Sequence, residues 1–252
     1  MGKTTIEWTD YSWNPVTGCT PISEGCRNCY ARRIAHRLSQ NPAVPHRERH
    51  EGFRVSCWPE RLEEPLRWRK PRTVFVCSMG DIFHSNVPTD FIDKVLEIIA
   101  ACPQHTFLML TKRPENIEDK LYGGKGARVL GGGDYLPNLG LGVTVENQDA
   151  VKRILHLLKI PAAMRFVSVE PMLEPVKLGL AKGLPGLDWV ICGEESGPNA
   201  RHVGDGPIRD LKNQCVAAGV PFMLKQMWIG GKLVKMPELD GRVWDQRPEV
   251  SP

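Results

Sequence analysis

The chain has 252 residues, 41% of them hydrophobic and 25% charged, with a formal net charge of +4. The length suffices for one large α/β domain with a well-buried core, the favoured reading, or for two small domains, and the composition is that of an ordinary globular protein. No stretch approaches the ~18 uninterrupted apolar residues of a membrane span, and the opening Met1-Gly2-Lys3-Thr4-Thr5 carries no apolar signal region, so the expected compartment is the reducing cytoplasm, where disulfides are rare.

In chain order, the first expected element is a short strand over Thr5 to Trp8. A loop follows in which Cys19, Cys26 and Cys29 fall within eleven residues, in the run Gly18-Cys19-Thr20-Pro21-Ile22-Ser23-Glu24-Gly25-Cys26-Arg27-Asn28-Cys29-Tyr30. Three thiolates gathered by a turn-rich loop, with no obvious fourth ligand beside them, suit a metal or cluster that keeps one coordination position open. Cys77, Cys102, Cys192 and Cys215 lie in apolar or helical surroundings and read as small buried hydrophobes, with Cys57 ambiguous.

A helix is expected over Tyr30 to Leu38, with Tyr30, Ile34 and Leu38 at i, i+4 spacing. Ser39 to Arg72 lacks periodicity and reads as an insertion or lid. From Arg27 to Arg72 there are 12 Lys or Arg against 5 Asp or Glu, a local balance of +7 that leaves −3 for the rest, and His36, His46 and His50 lie in the same segment. Such a flank suits a phosphate-bearing substrate or a nucleic acid, or else a solvated surface paired with Glu48, Glu51, Glu60, Glu63 and Glu64.

Strands are expected at Thr73 to Cys77, Thr106 to Leu110, Leu139 to Val143, Arg165 to Val169, Trp189 to Cys192 and Phe222 to Lys225. Helices are expected at Asp90 to Ala101, Asn147 to Leu158 and Ile208 to Ala218. This series predicts an α/β fold, a full or partial βα (TIM-like) barrel with parallel strands and one domain, with a doubly wound open sheet as the rival. Tyr122 to Pro137, rich in glycine, reads as a connecting loop, since no phosphate-cradle pattern follows a strand there.

Side chains at the carboxyl ends of parallel strands converge on the active face. Those positions here are polar: Ser78 and Asp81; Lys112 and Arg113; Glu146 and Asn147; Ser168 and Glu170; Gly193, Glu194 and Glu195; Lys225 and Gln226. Asn147 and Asp81 also have a structural reading as caps of a helix and a turn. Lys112 and Arg113 suit pairing with a carboxylate or phosphate of a ligand, and Lys225 and Gln226 join them as candidate substrate-binding residues.

The cysteine loop, the βα series and the Gly193-Glu194-Glu195 strand end together resemble the radical S-adenosylmethionine superfamily. More closely, Ile6-Glu7-Trp8-Thr9, Trp13-Asn14-Pro15-Val16-Thr17-Gly18-Cys19, Gly25-Cys26-Arg27-Asn28-Cys29-Tyr30, Leu110-Thr111-Lys112-Arg113-Pro114, Phe166-Val167-Ser168-Val169-Glu170-Pro171 and Gly193-Glu194-Glu195-Ser196-Gly197 resemble a phage- and prophage-associated protein family. The superfamily resemblance implies a [4Fe-4S] cluster on Cys19, Cys26 and Cys29 and S-adenosyl-L-methionine (SAM) chelated to its open iron. It also implies an external one-electron reductant and a 5′-deoxyadenosyl radical that takes hydrogen from a substrate, for which a nucleotide or nucleic acid is the expected class. Cys19 and Cys26 are separated by six residues, where the common superfamily spacing has three. The same strand order places Ser78 to Asp81 near the cofactor's amino group, Glu146 near its ribose, and Ser168 with Glu170 near its ribose or carboxylate. Gly193, Glu194 and Glu195 are assigned to the cofactor as well, the two glutamates with the substrate as an alternative.

Two other readings stand beside it. A zinc ion on the three thiolates, with Cys57 or His36 as fourth ligand, would make the loop a structural staple. A nucleic-acid-binding or nuclease protein would use the basic segment, with Trp13, Trp58, Trp68 and Trp228 stacking on bases.

Overall fold

The computed structural model describes residues 2–43, 53–123, 135–180 and 186–248. His46, His50, Glu48 and Glu51 of the basic segment, and most of the glycine-rich stretch between Tyr122 and Pro137, lie outside the described residues.

Eight strands form one sheet. They are β1 (Tyr11–Trp13), β4 (Thr73–Val76), β5 (Thr106–Thr111), β6 (Leu139–Thr144), β7 (Met164–Val169), β8 (Trp189–Gly193), β9 (Phe222–Ile229) and β10 (Lys232–Lys235), side by side in that order. Every pair is parallel except the last, where β10 returns antiparallel along β9. The two short strands β2 (Val16–Thr17) and β3 (Ser56–Cys57) pair apart from it, as do β11 (Glu238–Leu239) and β12 (Arg242–Val243). The helices are α1 (Tyr30–Ser39), α2 (Thr89–Ala100), α3 (Ile117–Tyr122), α4 (Lys152–Leu157) and α5 (Asp205–Ala218).

Among the described residues, the sheet curls without closing: β1 and β10 are its two end strands and do not pair with each other. Alternation along the strands explains the two faces. On β5, Phe107 and Met109 join the large outer core with Ile92, Val95, Leu96 and Ile99 of α2, while Leu108 points to the concave side. On β7, Val167 and Val169 face outward and Met164 and Phe166 inward. The concave cluster of Trp8, Phe75, Leu108, Met164, Phe166, Trp189, Ile191 and Met223 contains no helical residue. A doubly wound sheet would bury helices on both faces; here they cover one, so the partial barrel is the fold. Gly142 on β6 shows how tightly the concave side is filled, since a Cβ there would stand 2.4 Å from the Phe166 ring.

The expected strand over Thr5 to Trp8 is not one. This segment is turn and extended chain, and the first strand of the sheet is Tyr11–Trp13. Trp8 explains the difference: its indole fills the floor of the half-barrel, with ring centroids 4.5 Å from Phe75 and 6.0 Å from Phe166. The backbone around it spans the gap between the two sheet edges. Lys235 of β10 reaches the Thr5 carbonyl at 3.2 Å and the Glu7 carboxylate at 2.6 Å, and Arg247 donates to the Glu7 carbonyl. The β9–β10 hairpin is a further departure from the expected elements, and so is α3. Among the described residues, no helix is long and apolar enough to cross a membrane.

Candidate functional site

The cysteine loop is fixed before its first cysteine. Asn14, just past β1, accepts from the Met79 amide at 2.8 Å and exchanges a 3.2 Å hydrogen bond with the Ser78 hydroxyl, tying the ends of β1 and β4 together. Gly18 sits at φ 84°, and a Cβ on it would lie 1.9 Å from the Arg54 carbonyl oxygen, so only glycine fits this approach. The Gly18 amide donates to the Met79 carbonyl at 2.8 Å and the Cys19 amide to that of Phe53 at 3.1 Å. Cys26 ends a 3-10 turn over Glu24–Cys26, and Cys29 is the residue before the first turn of α1.

All three thiols line one cavity of about 420 Å³ on the concave side of the sheet, within the range of cofactor and substrate pockets. Among the described residues, no three His, Cys, Asp or Glu side chains converge closely enough to hold a single metal ion. A lone zinc with Zn–S bonds of about 2.3 Å requires sulfurs within roughly 4 Å of one another. Cys57 belongs to β3, paired opposite Val16, and His36 is exposed on α1; neither lines the cavity. Burial, and then Asp81, push the Cys19 thiol up against the pull of Arg113. At Cys26 burial also opposes ionisation, but a hydrogen bond to the Ile22 backbone, the Lys112 ammonium and Ser23 outweigh it and hold the thiol below its ordinary value. Cys77, Cys102, Cys192 and Cys215 are all buried, as their surroundings predict, and burial raises each thiol.

Three ionic clamps grip the loop along its length. At Cys19, Arg113 donates to the thiol sulfur at 3.2 Å, to the Thr20 carbonyl at 2.7 Å and to Asp81 at 3.0 Å. Asp81 in turn accepts from Thr111 at 2.8 Å and from the Phe83 amide, the turn cap its position predicts. Beneath Gly25 lies the fully buried Glu146, paired with Arg153 at 2.6 Å and Lys112 at 3.4 Å. A Cβ on Gly25 would be 3.1 Å from both the Glu146 side chain and the Lys112 ammonium. Burial opposes the ionisation of Glu146, yet Lys112 and Arg153 bring it to about 2. At the far end, Arg201 donates to both oxygens of Glu195, at 2.5 and 2.9 Å, and to the Glu24 carbonyl and carboxylate at 3.0 and 3.3 Å. Asn28 of the loop donates to Glu195 at 2.8 Å. Glu195 is likewise held at about 2, burial opposing and Arg201 and Asn28 prevailing.

These contacts place the expected site residues. Asp81, Lys112, Arg113 and Glu195 line the cavity, whereas Glu146 does not and lies buried beneath Gly25; the charges of all five are engaged with one another and with the cysteine loop. Glu194 also lines the cavity, and its carboxylate accepts from the amides of Val203, Gly204 and Trp228 at 2.9, 3.2 and 2.6 Å, anchoring the chain after β8. The Gln226 amide donates to the Glu194 carbonyl at 2.7 Å. Glu170 and Lys225 form an ion pair on the cavity wall, and Ser78 and Ser168 line it too. Gly193 stands behind that wall, where a Cβ would press on Gln226 and Glu170 at 3.2 and 3.4 Å. Asn147 caps the turn into α4, accepting from Ala150 at 3.0 Å. Arg153 and Arg201 complete the clamps without having stood out in the sequence, while Asn14, Asn28 and Thr111 stood in the runs that carry the resemblance with no role assigned. Trp13 and Trp58 direct their indole N–H groups into the fold, to the Arg61 carbonyl and the Thr17 hydroxyl, and Trp228 to the Glu195 carbonyl. Trp68 packs against Tyr11 with tilted rings whose centroids are 5.0 Å apart.

Solved structures of spore photoproduct lyase are similar to the chain at 12% sequence identity. A cysteine-to-serine mutant has a TM-score of 0.49 and covers 83% of this chain and 73% of its own. The complex with dinucleoside spore photoproduct has a TM-score of 0.48, and a double mutant with bound AdoMet and that ligand 0.49, each covering 92% of this chain and 70% of its own. Likeness at this level assigns no role to any residue. No curated protein matches the sequence. The model of a protein family of unknown function, DUF5131, matches residues 3–248, and the chain belongs to that family.

Proposed function

We propose that this protein is a radical SAM enzyme. The observation that carries the reading is the set of three thiols from one loop that line a single large cavity. Cys19, Cys26 and Cys29 would hold a [4Fe-4S] cluster, and SAM and the substrate would share the space above the aromatic floor. The fit is chemical: three soft thiolates can hold three irons of a cluster and leave one position open. When bound and reduced by one electron, the cluster with SAM supplies a 5′-deoxyadenosyl radical for hydrogen abstraction. We assign the substrate to the nucleotides or nucleic acids, supported by the excess of cations from Arg27 to Arg72.

The chain's own part is to hold, orient and exclude water. The guanidinium of Arg113 donates to the first thiol, as outer-shell groups do when they tune a sulfur-bound metal. The clamps around Glu146 and Glu195 keep the six residues between Cys19 and Cys26 in one conformation, so the longer spacing need not loosen the ligand set. Ser78, Ser168 and the Glu170–Lys225 pair offer polar groups to ligands in the cavity, and Trp8, Phe75 and Leu110 offer an apolar base.

Anaerobic reconstitution with iron and sulfide tests the cluster. The expected product is brown, with near-stoichiometric cluster that is lost in Cys19→Ala, Cys26→Ala and Cys29→Ala and kept in Cys102→Ala. A colourless protein carrying one zinc, or a cluster indifferent to all three substitutions, would refute the assignment.

A further inference from the structure

We propose that the outer face of α1 docks the phosphate backbone of a single-stranded nucleic acid and thereby presents a nucleotide to the cavity. This rests on the function proposed above and narrows its substrate from nucleotides in general to a polymer.

Among the described residues, the charge on α1 and the turn before it has no acidic partner. From Gly25 to Ala43 there are four arginines and no Asp or Glu. Arg27, Arg33 and Arg37 are exposed and Arg32 is half-buried. Arg32 donates to the Cys26 carbonyl and Arg33 to the Ser196 carbonyl, each at 3.2 Å. Among the described residues, none of the four pairs with a carboxylate. Of the other described arginines, Arg113, Arg153, Arg201 and Arg209 each face an acid, and Arg61, Arg72 and Arg242 lie over aromatic rings. The helix also carries Arg32 and Arg33 in its first turn, where the backbone dipole is already positive, and no acid offsets them. Cations in the first turn of a helix lower its stability, and an anionic partner would offset that.

The location specifies the partner. Arg33 and Arg37 are i, i+4 neighbours on one ridge. The amino end of the same helix supplies Cys29, Tyr30 and Ala31 to the cavity lining. Tyr30 stands 42% exposed between ridge and cavity, its hydroxyl fixed on the Ser78 carbonyl at 2.6 Å, and Ile22 is 46% exposed on the cysteine loop. A track of arginines beside an exposed ring at a pocket mouth is the combination that binds single strands, phosphates to the cations and a base to the aromatic face.

The test is fluorescence anisotropy of the reconstituted protein with a labelled single-stranded DNA of about 20 nucleotides, titrated with salt. Wild type is expected to bind with steep salt dependence. Arg33→Glu/Arg37→Glu should weaken binding at least about tenfold and reduce the log–log salt slope by about 1.4, the loss of two phosphate contacts. Arg33→Gln/Arg37→Gln should show the same direction with less effect, and serves if the charge reversal impairs folding. Arg67→Glu/Arg69→Glu, the same charge change near the amino end of β4 and away from the cavity mouth, should leave binding within about twofold. Equal losses in the two reversed proteins, unchanged binding in the α1 variants, or equal competition by poly-glutamate would each overturn the inference. Formation of 5′-deoxyadenosine from SAM without DNA is read separately. Its absence beside intact DNA binding refutes the radical reading alone, and its presence beside DNA binding indifferent to α1 refutes only the interface.

Discussion

At the floor of the cavity Trp8, Phe75, Phe166 and Trp189 pack with ring centroids between 4.5 and 6.4 Å apart. Around the cysteine loop at its mouth the side chains are ionic, with Asp81, Glu146 and Glu195 each paired with an arginine. The floor is held by shape and water exclusion, which tolerate no gap. The mouth is held by directional bonds to a loop with little core of its own, so its geometry depends on each partner being present. Rigidity at the floor and ionic grip at the mouth leave the cavity between them open.

The largest expected effect comes from breaking the floor. Trp8→Ala should cost about 3 to 5 kcal/mol in urea-induced unfolding, since it removes the central ring and unseats the segment that bridges the sheet edges. Arg113→Met breaks the mouth instead. It strands Asp81, whose side chain is 7% exposed, and should cost about 3 kcal/mol. It should also lower the iron bound per chain, which the floor variant, in whatever fraction remains folded, should not do. Gly142→Ala overpacks the concave side against Phe166 and should cost about 1 to 3 kcal/mol.

Acid separates the two ends further. Glu146 and Glu195 have folded-state values of about 2 against an ordinary 4.5. Depressed carboxylates contribute stability that is full above the unfolded value and is lost as pH falls through the folded one. Stability should therefore decline between about pH 5 and pH 2, and Glu146→Gln/Glu195→Gln should be less stable at pH 7 with a flatter decline over that window. Trp8→Ala should shift the curve down without changing its shape. The smallest expected effect is Gly206→Ala, where a Cβ meets nothing within 4 Å; its melting temperature should stay within a degree or two of wild type.

The floor and the mouth also differed in how far the sequence announced them. The β-branched runs at Thr73, Thr106, Leu139, Arg165, Trp189 and Phe222 mark strands because both faces of a parallel sheet are buried. The polar residue after each run follows from the topology, and so the cavity-lining set was legible. Thr5 to Trp8 alternates like a strand, but the large indole found a better position in the floor than any pairing allowed. Gly230-Gly231, with φ of 56° and 77°, forms the turn into β10, a hairpin signal absent from the expected elements. Arg201 had no such signal. Its partner Glu24 is 177 residues away, and only the curl of the sheet brings the loop after β8 over the cysteines. The same holds for Arg113, read as a ligand-binding cation but engaged with Asp81, Thr20 and Cys19.

The most direct test of the account is whether the reconstituted, dithionite-reduced protein cleaves SAM. The account predicts 5′-deoxyadenosine from wild type and none from Cys19→Ala, Cys26→Ala or Cys29→Ala. Wild-type protein that holds a full cluster yet forms no 5′-deoxyadenosine, under conditions where a known radical enzyme does, would contradict it.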